Sequence, residues 1–337
     1  MNTKTKSMVV SDQTVYFKSS ERMDEIPSET ITLVVTSPPY WNVRDYGSGS
    51  EQIGFGQDYE EYINSLNTVW KECIRVLQPN GKICINVQPL PIDSNHSGFG
   101  RRMILNIMFD IEKFFRENGF FMSGMHYWDK APFISNVSWG SYPKPTNIAS
   151  NTSFEQIFVF VKPGKTRKVL PELMKESILS KEEWRHFAVR CIWDDISPVI
   201  KIDSSGENRF GHSAPFPEEI PFRLIKMHTA KEETVLDPFL GSGTTLKICR
   251  ITGRKGIGYE INEEYRELIK TRILEEWEIP PIEAQYKTFG TNSFYEILKE
   301  AQSSIQNNPT ITFKELIKEL KELQKQLERV RKVFHGI

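Results

Sequence analysis

No apolar run in this 337-residue chain reaches the roughly 18 residues that a membrane-spanning helix needs. The first stretch, Met1 to Ser11, is polar, carries two lysines and lacks the apolar core of a signal peptide, so the sequence reads as that of a cytoplasmic protein with no membrane partner. Cysteine is scarce. Cys73, Cys84, Cys191 and Cys249 are the four present, and none forms a CxxC pair, which excludes the usual zinc and disulfide frameworks. Cys73 and Cys84 lie in apolar stretches and read as core residues. An excess of one charge is lacking too: 43 Lys and Arg face 44 Asp and Glu. A histone-like mode of binding is thereby excluded, and any nucleic-acid site has to be a local patch. There is no internal repeat and no long low-complexity tract.

What is present is an ordinary globular composition, 39% hydrophobic and 26% charged, patterned as short apolar runs between helical periodicities. Thr30–Thr36, Lys82–Val87 (after the turn signal Pro79-Asn80-Gly81), Gln156–Val161, Glu233–Leu236 and Lys255–Tyr259 read as strands. Tyr59 to Leu77 places Tyr62, Ile63, Leu66, Val69, Trp70, Cys73, Ile74 and Leu77 on one helical face, and Phe99–Asn118, Pro217–His228 and the stretch from Gly243 to Ile251 read as helices as well. Buried strands alternating with helices predict an α/β fold, a mainly parallel sheet with helices on both faces. Two regions break the rhythm. Lys162 to Arg190 holds eight Lys/Arg against four Glu and reads as a basic insert. At the other, Phe313, Leu316, Leu320, Leu323, Leu327, Val330 and Phe334 recur at 3-4 spacing among charged residues, the signature of a C-terminal heptad helix that packs on its own domain or self-associates as a homodimer.

The first motif is Ser37-Pro38-Pro39-Tyr40. Two prolines remove two N–H donors and end the strand, leaving carbonyl acceptors in a rigid loop at the strand's carboxyl end, where open α/β sheets place ligands. The amino nitrogen of cytosine or adenine is conjugated with its ring and is a poor nucleophile. The Ser37 hydroxyl and the Pro38 carbonyl are two acceptors that suit its two hydrogens, and Tyr40 suits stacking on a base taken out of its duplex. A proline-terminated strand with a buried tyrosine is the plainer reading of these four residues alone; the continuation Trp41-Asn42-Val43-Arg44-Asp45-Tyr46-Gly47 and a second motif weigh against it.

The second motif, Asp237-Pro238-Phe239-Leu240-Gly241-Ser242-Gly243-Thr244-Thr245, is a strand, a glycine turn and a helix start. The glycines allow close backbone approach, and the helix N-terminus offers free N–H groups to a carboxylate or phosphate. Neither a Walker A lysine nor a GxGxxG fingerprint follows. The next strand, Gly256-Ile257-Gly258-Tyr259, ends in Glu260, where an acid can accept from both hydroxyls of a ribose. Together these describe a pocket for a nucleoside bearing a small anionic group, which S-adenosylmethionine fits at both ends.

In these motifs the chain resembles the amino-group DNA methyltransferases of bacterial restriction-modification systems, in the arrangement where the catalytic SPPYW (Ser37–Trp41) precedes the cofactor segment DPFxGSGTT (Asp237–Thr245). Gly211–Glu219 is similar to the HPAPFPEEL segment that lines the methionine end of the pocket. Trp128-Asp129-Lys130 and Phe154–Phe160 are similar to strand segments with no direct chemistry. The resemblance covers about residues 10 to 275. It implies a Rossmann-like S-adenosylmethionine-dependent methyltransferase sheet of permuted order, with a recognition insert and the heptad helix added. The implied division is 1–161 for the catalytic half, 162–205 for the target-recognition insert, 206–282 for the cofactor-binding half and 283–337 for a helical extension. Ser37, Pro38, Pro39 and Tyr40 are the implied catalytic residues. Phe216, Pro217, Asp237, Pro238, Phe239, Gly241, Ser242, Gly243, Thr244 and Glu260 are those implied for the cofactor, with no metal. Duplex DNA is the implied partner, with a cognate restriction endonuclease acting on the same site. Lys165, Arg167, Lys168, Arg185 and Arg190 of the basic insert suit contact with phosphates, a solvated surface being the plainer reading of the same charges. Serine at position 37 points to cytosine N4, where adenine N6 enzymes usually carry Asp or Asn. The chain departs from the family's pattern at Tyr16–Ser20, which lacks the acid usual in that turn, and at Thr32, where an Asp often stands.

Other chemistries fit less well. Cytosine C5 methylation needs a cysteine after a proline, and none of the four cysteines follows one. Glutamine methylation uses a PPY loop in the opposite motif order. Adenine N6 transfer is the nearest alternative, and a DNA-binding module without catalysis is the remaining one. Trp184 and His186 are open to either core or base-contacting roles.

Overall fold

The computed structural model describes residues 6–41, 52–92, 94, 97–132, 144–147, 152–199 and 217–278. All of these fall within a compact unit, Met1–Glu278; the second unit, Ile279–Ile337, lies outside the described residues, and the heptad pattern with it. Residues 42–47 and Gly211–Phe216 lie outside them as well.

The chain begins with β1 (Ser7–Val10), β2 (Gln13–Tyr16) and β3 (Ile31–Thr36), then α1 (Tyr59–Val76), β4 (Leu77–Val87), β5 (Leu90–Ile92) and β6 (Met103–Leu105). It continues through α2 (Met108–Glu117), β7 (Phe121–Asp129), β8 (Phe154–Val161), α3 (Pro171–Lys175), α4 (Lys181–Trp184), a π-helical turn at Arg185–Val189 and β9 (Ile192–Trp193). Among the described residues the last elements are α5 (Glu219–His228), β10 (Thr234–Asp237), α6 (Thr244–Thr252), β11 (Lys255–Tyr259) and α7 (Arg266–Leu274). One sheet runs β1-β2-β11-β10-β3-β4-β8-β7-β9. Its centre, β2 to β4, is parallel, while β1 and β8 run against their neighbours. This is the Rossmann-like α/β sheet expected, parallel where the motifs sit and mixed toward its edges, where β7 and β9 pair in parallel.

β3 shows why the centre is parallel. All six of its residues are buried, as a strand covered on both faces must be. Successive side chains point to opposite faces. Val34 joins Trp70, Leu66 and Phe115 of α1 and α2 on one face, and Leu33 and Val35 join Leu224, Ile225 and Ile248 of α5 and α6 on the other. α1 buries Tyr62, Leu66, Val69, Trp70, Cys73 and Val76, much of the face read from the sequence, and Asp58 and Glu61 close its N-terminus as a capping box.

Two expectations are corrected. Phe99–Asn118 is not one helix: Met103–Leu105 is a strand, and α2 begins only where the Asn106 side chain accepts from the Met108 N–H at 3.2 Å. Pro79-Asn80-Gly81 does not precede a strand but lies inside β4, where the register jumps from Ile31↔Leu77 to Leu33↔Lys82 and Asn80 takes φ +60°. These turn residues do mark a break in regular pairing, and the structure realises that break as a bulge. β1 is a strand that the sequence pattern does not announce, and β7 is announced only at its end, by the strand-like Trp128-Asp129.

Candidate active site

β3 and β10 are parallel neighbours, so their carboxyl ends deliver the two motifs side by side. A buried carboxylate ties them together. Asp237 accepts from the Thr36 hydroxyl (2.7 Å), the Thr245 hydroxyl (2.6 Å) and the Phe239 N–H (3.1 Å). Burial pushes its pKa up to about 6 against the opposing pull of these bonds. Asp237, expected beside the cofactor, is bonded within the fold through both carboxylate oxygens, and the hydroxyls of Thr36 and Thr245 are partners that the sequence reading missed.

Ser37 and Tyr40 are half-buried and Pro38 is buried. The loop is fixed from below by Tyr62, whose hydroxyl donates to the Pro39 carbonyl at 2.9 Å. That bond uses one of the two lone pairs of the Pro39 carbonyl. Trp41 donates through Nε1 to the Gln57 carbonyl (2.9 Å), which anchors the loop's exit.

On the other side of β10, the cofactor segment turns through Gly241 and Gly243 at φ +56° and +95°, left-handed values that only glycine adopts at low cost. A Cβ at Gly243 would also meet Ile269 Cγ2 at 3.3 Å. Gly243 is the N-cap of α6 and has no side chain to fill the helix's free N–H positions. β11 brings in Glu260, which accepts from the Gly241 N–H (2.9 Å) and the Asn262 N–H (2.8 Å). Burial pushes its pKa up to about 7, with the backbone bonds opposing. Ser242, Thr244 and Pro238 are buried, and the half-buried Phe239 meets Trp70 edge-on at 5.9 Å. Pro217 is buried. Its neighbour Glu218 accepts from Arg272 (2.6 Å) and Lys247 of α6 (3.2 Å). Phe216 lies outside the described residues. A carboxylate able to take a diol, an uncapped helix start and a turn open to close approach form a donor set that fits S-adenosylmethionine.

An acid does stand beside the turn that lacks one in sequence. Glu25 accepts from Lys18 (3.0 Å) and from the Tyr259 hydroxyl (3.1 Å). Thr32 accepts from Gln78 at 3.0 Å.

The basic residues divide between the two edges of the sheet. Lys165, Arg167 and Lys168 follow the end of β8, which is antiparallel to β4. They therefore stand at the amino edge of β3, and the six residues of that strand span about 20 Å. Arg167 is bound there to Glu233 (2.7 Å at its second contact) and to the His228 carbonyl (3.0 Å); Lys165 and Lys168 are exposed. Arg190 lies instead near the carboxyl end of β7, where the Tyr127 N–H donates to the Cys191 carbonyl at 2.8 Å, and it pairs with Asp194. Arg185 is exposed on the preceding turn. Trp184 is exposed. His186 is buried and bonded to Asp195 at 2.7 Å, so it is a core residue. Among the described residues, no cluster of three or more His, Cys, Asp or Glu could hold a metal, and no helix is long and apolar enough to cross a membrane.

Residues 31–271 match the family model for N6 and N4 enzymes, described as DNA methylase. The chain belongs to the N6/N4 DNA methylase family. It is 31% identical over 289 residues to the Type II methyltransferase M.MjaI of Methanocaldococcus jannaschii, covering 79% of this chain and 92% of that one. It is also 31% identical over 267 residues to the Type II beta methyltransferase M.BslI of Bacillus sp., covering 76% of this chain but only 27% of that much longer relative. Among solved structures, the putative DNA modification methylase TTHA0409 of Thermus thermophilus, complexed with S-adenosyl-L-methionine, superposes with a TM-score of 0.61 at 32% identity, over 77% of this chain and 93% of that one. S-adenosylmethionine is the cofactor of this DNA methylase family, in agreement with the donor set above.

Proposed function

We propose that this DNA methylase methylates the exocyclic N4 of cytosine at a specific site in duplex DNA, as the modification half of a restriction-modification system. The observation that carries the reading is the single buried junction, Thr36–Asp237–Thr245, which sets a serine-type amino-group loop directly beside the cofactor segment. Bound S-adenosylmethionine supplies an electrophilic methyl group. Glu260 takes the ribose, and the turn at Gly241–Gly243 with Pro217 and Phe216 takes the methionine end. The Ser37 hydroxyl and the Pro38 carbonyl accept the two amino hydrogens and turn the nitrogen lone pair out of conjugation; the N–C bond forms as the S–C bond of the sulfonium breaks to a neutral thioether, and one amino hydrogen is then lost as a proton. Tyr40 stacks on the flipped base. Holding both reactants in one geometry carries most of the rate, so neither a metal nor a nucleophilic side chain has to take part. Cytosine rather than adenine rests on serine at position 37.

Arg185 and Arg190, on the side of the insert toward the carboxyl edge, are the basic residues best placed to meet phosphates near the reacting base. A cognate endonuclease is the partner that such a modification would protect against. Incubation of the full chain with radiolabelled S-adenosylmethionine and unmodified genomic DNA tests the reading: label should enter DNA. A chain that binds the cofactor and labels no DNA would instead be a binding module.

A further inference from the structure

Tyr40 is the only member of the Ser37–Tyr40 loop with a polar atom at the far end of a long side chain, and that atom is held from both sides. The Gln88 N–H donates to its oxygen at 3.3 Å, and its hydroxyl faces Glu155 Oε2 at 3.5 Å. Both contacts are long, as catalytic hydrogen bonds often are before the reacting complex tightens them. The groups that hold it come from three strands meeting at the carboxyl edge. Asn86 lies at the end of β4 and Gln88 just beyond it, Glu155 opens β8 in register with Trp128 of β7, and Lys130 follows β7.

Glu155 is nearly buried, which is costly for a carboxylate unless it is paired. It is paired closely. Lys130 Nζ donates to Oε1 at 2.9 Å, and Asn86 Nδ2 donates to Oε2 at 2.5 Å. Lys130 also donates to Gln88 Oε1 at 3.0 Å, and its ammonium lies 5.3 Å from the centre of the Trp128 ring. Trp128 is pinned in turn by the Ile196 carbonyl at 2.8 Å. A buried ion pair is weak as a source of stability, because an apolar pair of similar volume serves as well or better. Its value lies in direction: it fixes one carboxylate oxygen beside the phenol.

Resting on the reading of Tyr40 as the stacking residue, we propose that the Lys130–Glu155 pair, with Gln88, is a positioning device that sets the axis of the Tyr40 ring against which the target base stacks. The phenol hydroxyl is the point farthest from the backbone, so holding it removes the rotamer freedom that would otherwise tilt the ring. The segments of Lys130 and Glu155, which the family resemblance leaves without direct chemistry, thereby act on the reaction through Tyr40.

The test is a double-mutant cycle on the full chain, read as the single-turnover rate of methyl transfer to unmodified genomic DNA at saturating S-adenosylmethionine. Tyr40→Phe and Glu155→Gln should each lower the rate about tenfold, and the double variant should be no slower than the slower single one, because both act through one contact. Cofactor affinity should stay within about twofold, since the role proposed for both residues is to orient the ring that meets the base. Multiplying effects in the double variant, or wild-type rates in Glu155→Gln, would overturn the proposal. If Glu155→Gln does not fold, Tyr40→Phe decides alone: a wild-type rate without the hydroxyl means that nothing useful is held there. Absence of transfer by the wild-type chain would sink the functional reading beneath the proposal and is distinct from either result.

Discussion

Ser37 and Glu260 carry the sharpest expectations at the scale of single residues. In the proposed mechanism Ser37→Ala removes one of two acceptors for the amino group and none of the groups assigned to the cofactor. Turnover should fall by about 10²–10³, the usual effect of deleting one preorganised hydrogen-bonding group, while the cofactor Kd by calorimetry stays within about twofold. An unchanged turnover would remove the serine from the mechanism. Glu260 titrates near neutrality because burial pushes it up to about 7. Two ribose hydroxyls bind best to the ionised form, so the bound state has the lower pKa. Affinity should therefore be full above pH 7 and weaken as pH falls through about 7, and Glu260→Gln should abolish the dependence. The sign for folding is opposite. A carboxylate raised from 4.5 to about 7 is disfavoured when ionised, so the free protein loses stability from this group as pH rises across that window. Thermal melts with and without cofactor should show the two trends diverging.

At the scale of elements, the apolar periodicities of β3, α1, α5 and α6 were legible because each records its own burial. Long-range polar pairing was not. Thr36 with Asp237 spans 201 residues and Tyr40 with Glu155 spans 115, and no local pattern marks such partners. Phe99–Asn118 misled because its apolar residues fit one helical face, while Gly100 at positive φ and the Asn106 side chain divide it. The region read as a basic insert is likewise more than a charged surface. Arg223 of α5 donates to Asp195 at 2.6 and 3.2 Å, and His186 meets the same carboxylate. Burial pushes the Asp195 pKa up, but the bonds from His186 and Arg223 overcome it and hold the acid well below the ordinary carboxylate range. Arg223 also lies 5.1 Å from the Trp193 ring. Asp195→Ala leaves a buried guanidinium without its carboxylate and should cost about 3–5 kcal/mol in urea denaturation. A loss below about 1 kcal/mol would show the junction to be surface-like.

For the whole molecule, the sheet direction decides what the charge pattern could not. One basic stretch in sequence becomes two groups on different edges, because β8 carries the chain back to the amino end before Lys165 is reached. Arg190→Ala should weaken DNA binding across all sequences and lower the salt slope by about one, whereas Lys165→Ala and Lys168→Ala should leave both nearly unchanged. Titrations at several salt concentrations separate these outcomes. The central claim concerns the atom that receives the methyl group, and product analysis tests it most directly. DNA methylated by the purified chain is digested to nucleosides and the modified one identified by mass spectrometry. N4-methylcytosine is the expected product. N6-methyladenine would keep the fold, the cofactor and the acceptor loop but overturn the meaning given to Ser37, and a ring-carbon product or no methylated nucleoside would contradict the amino-group mechanism itself.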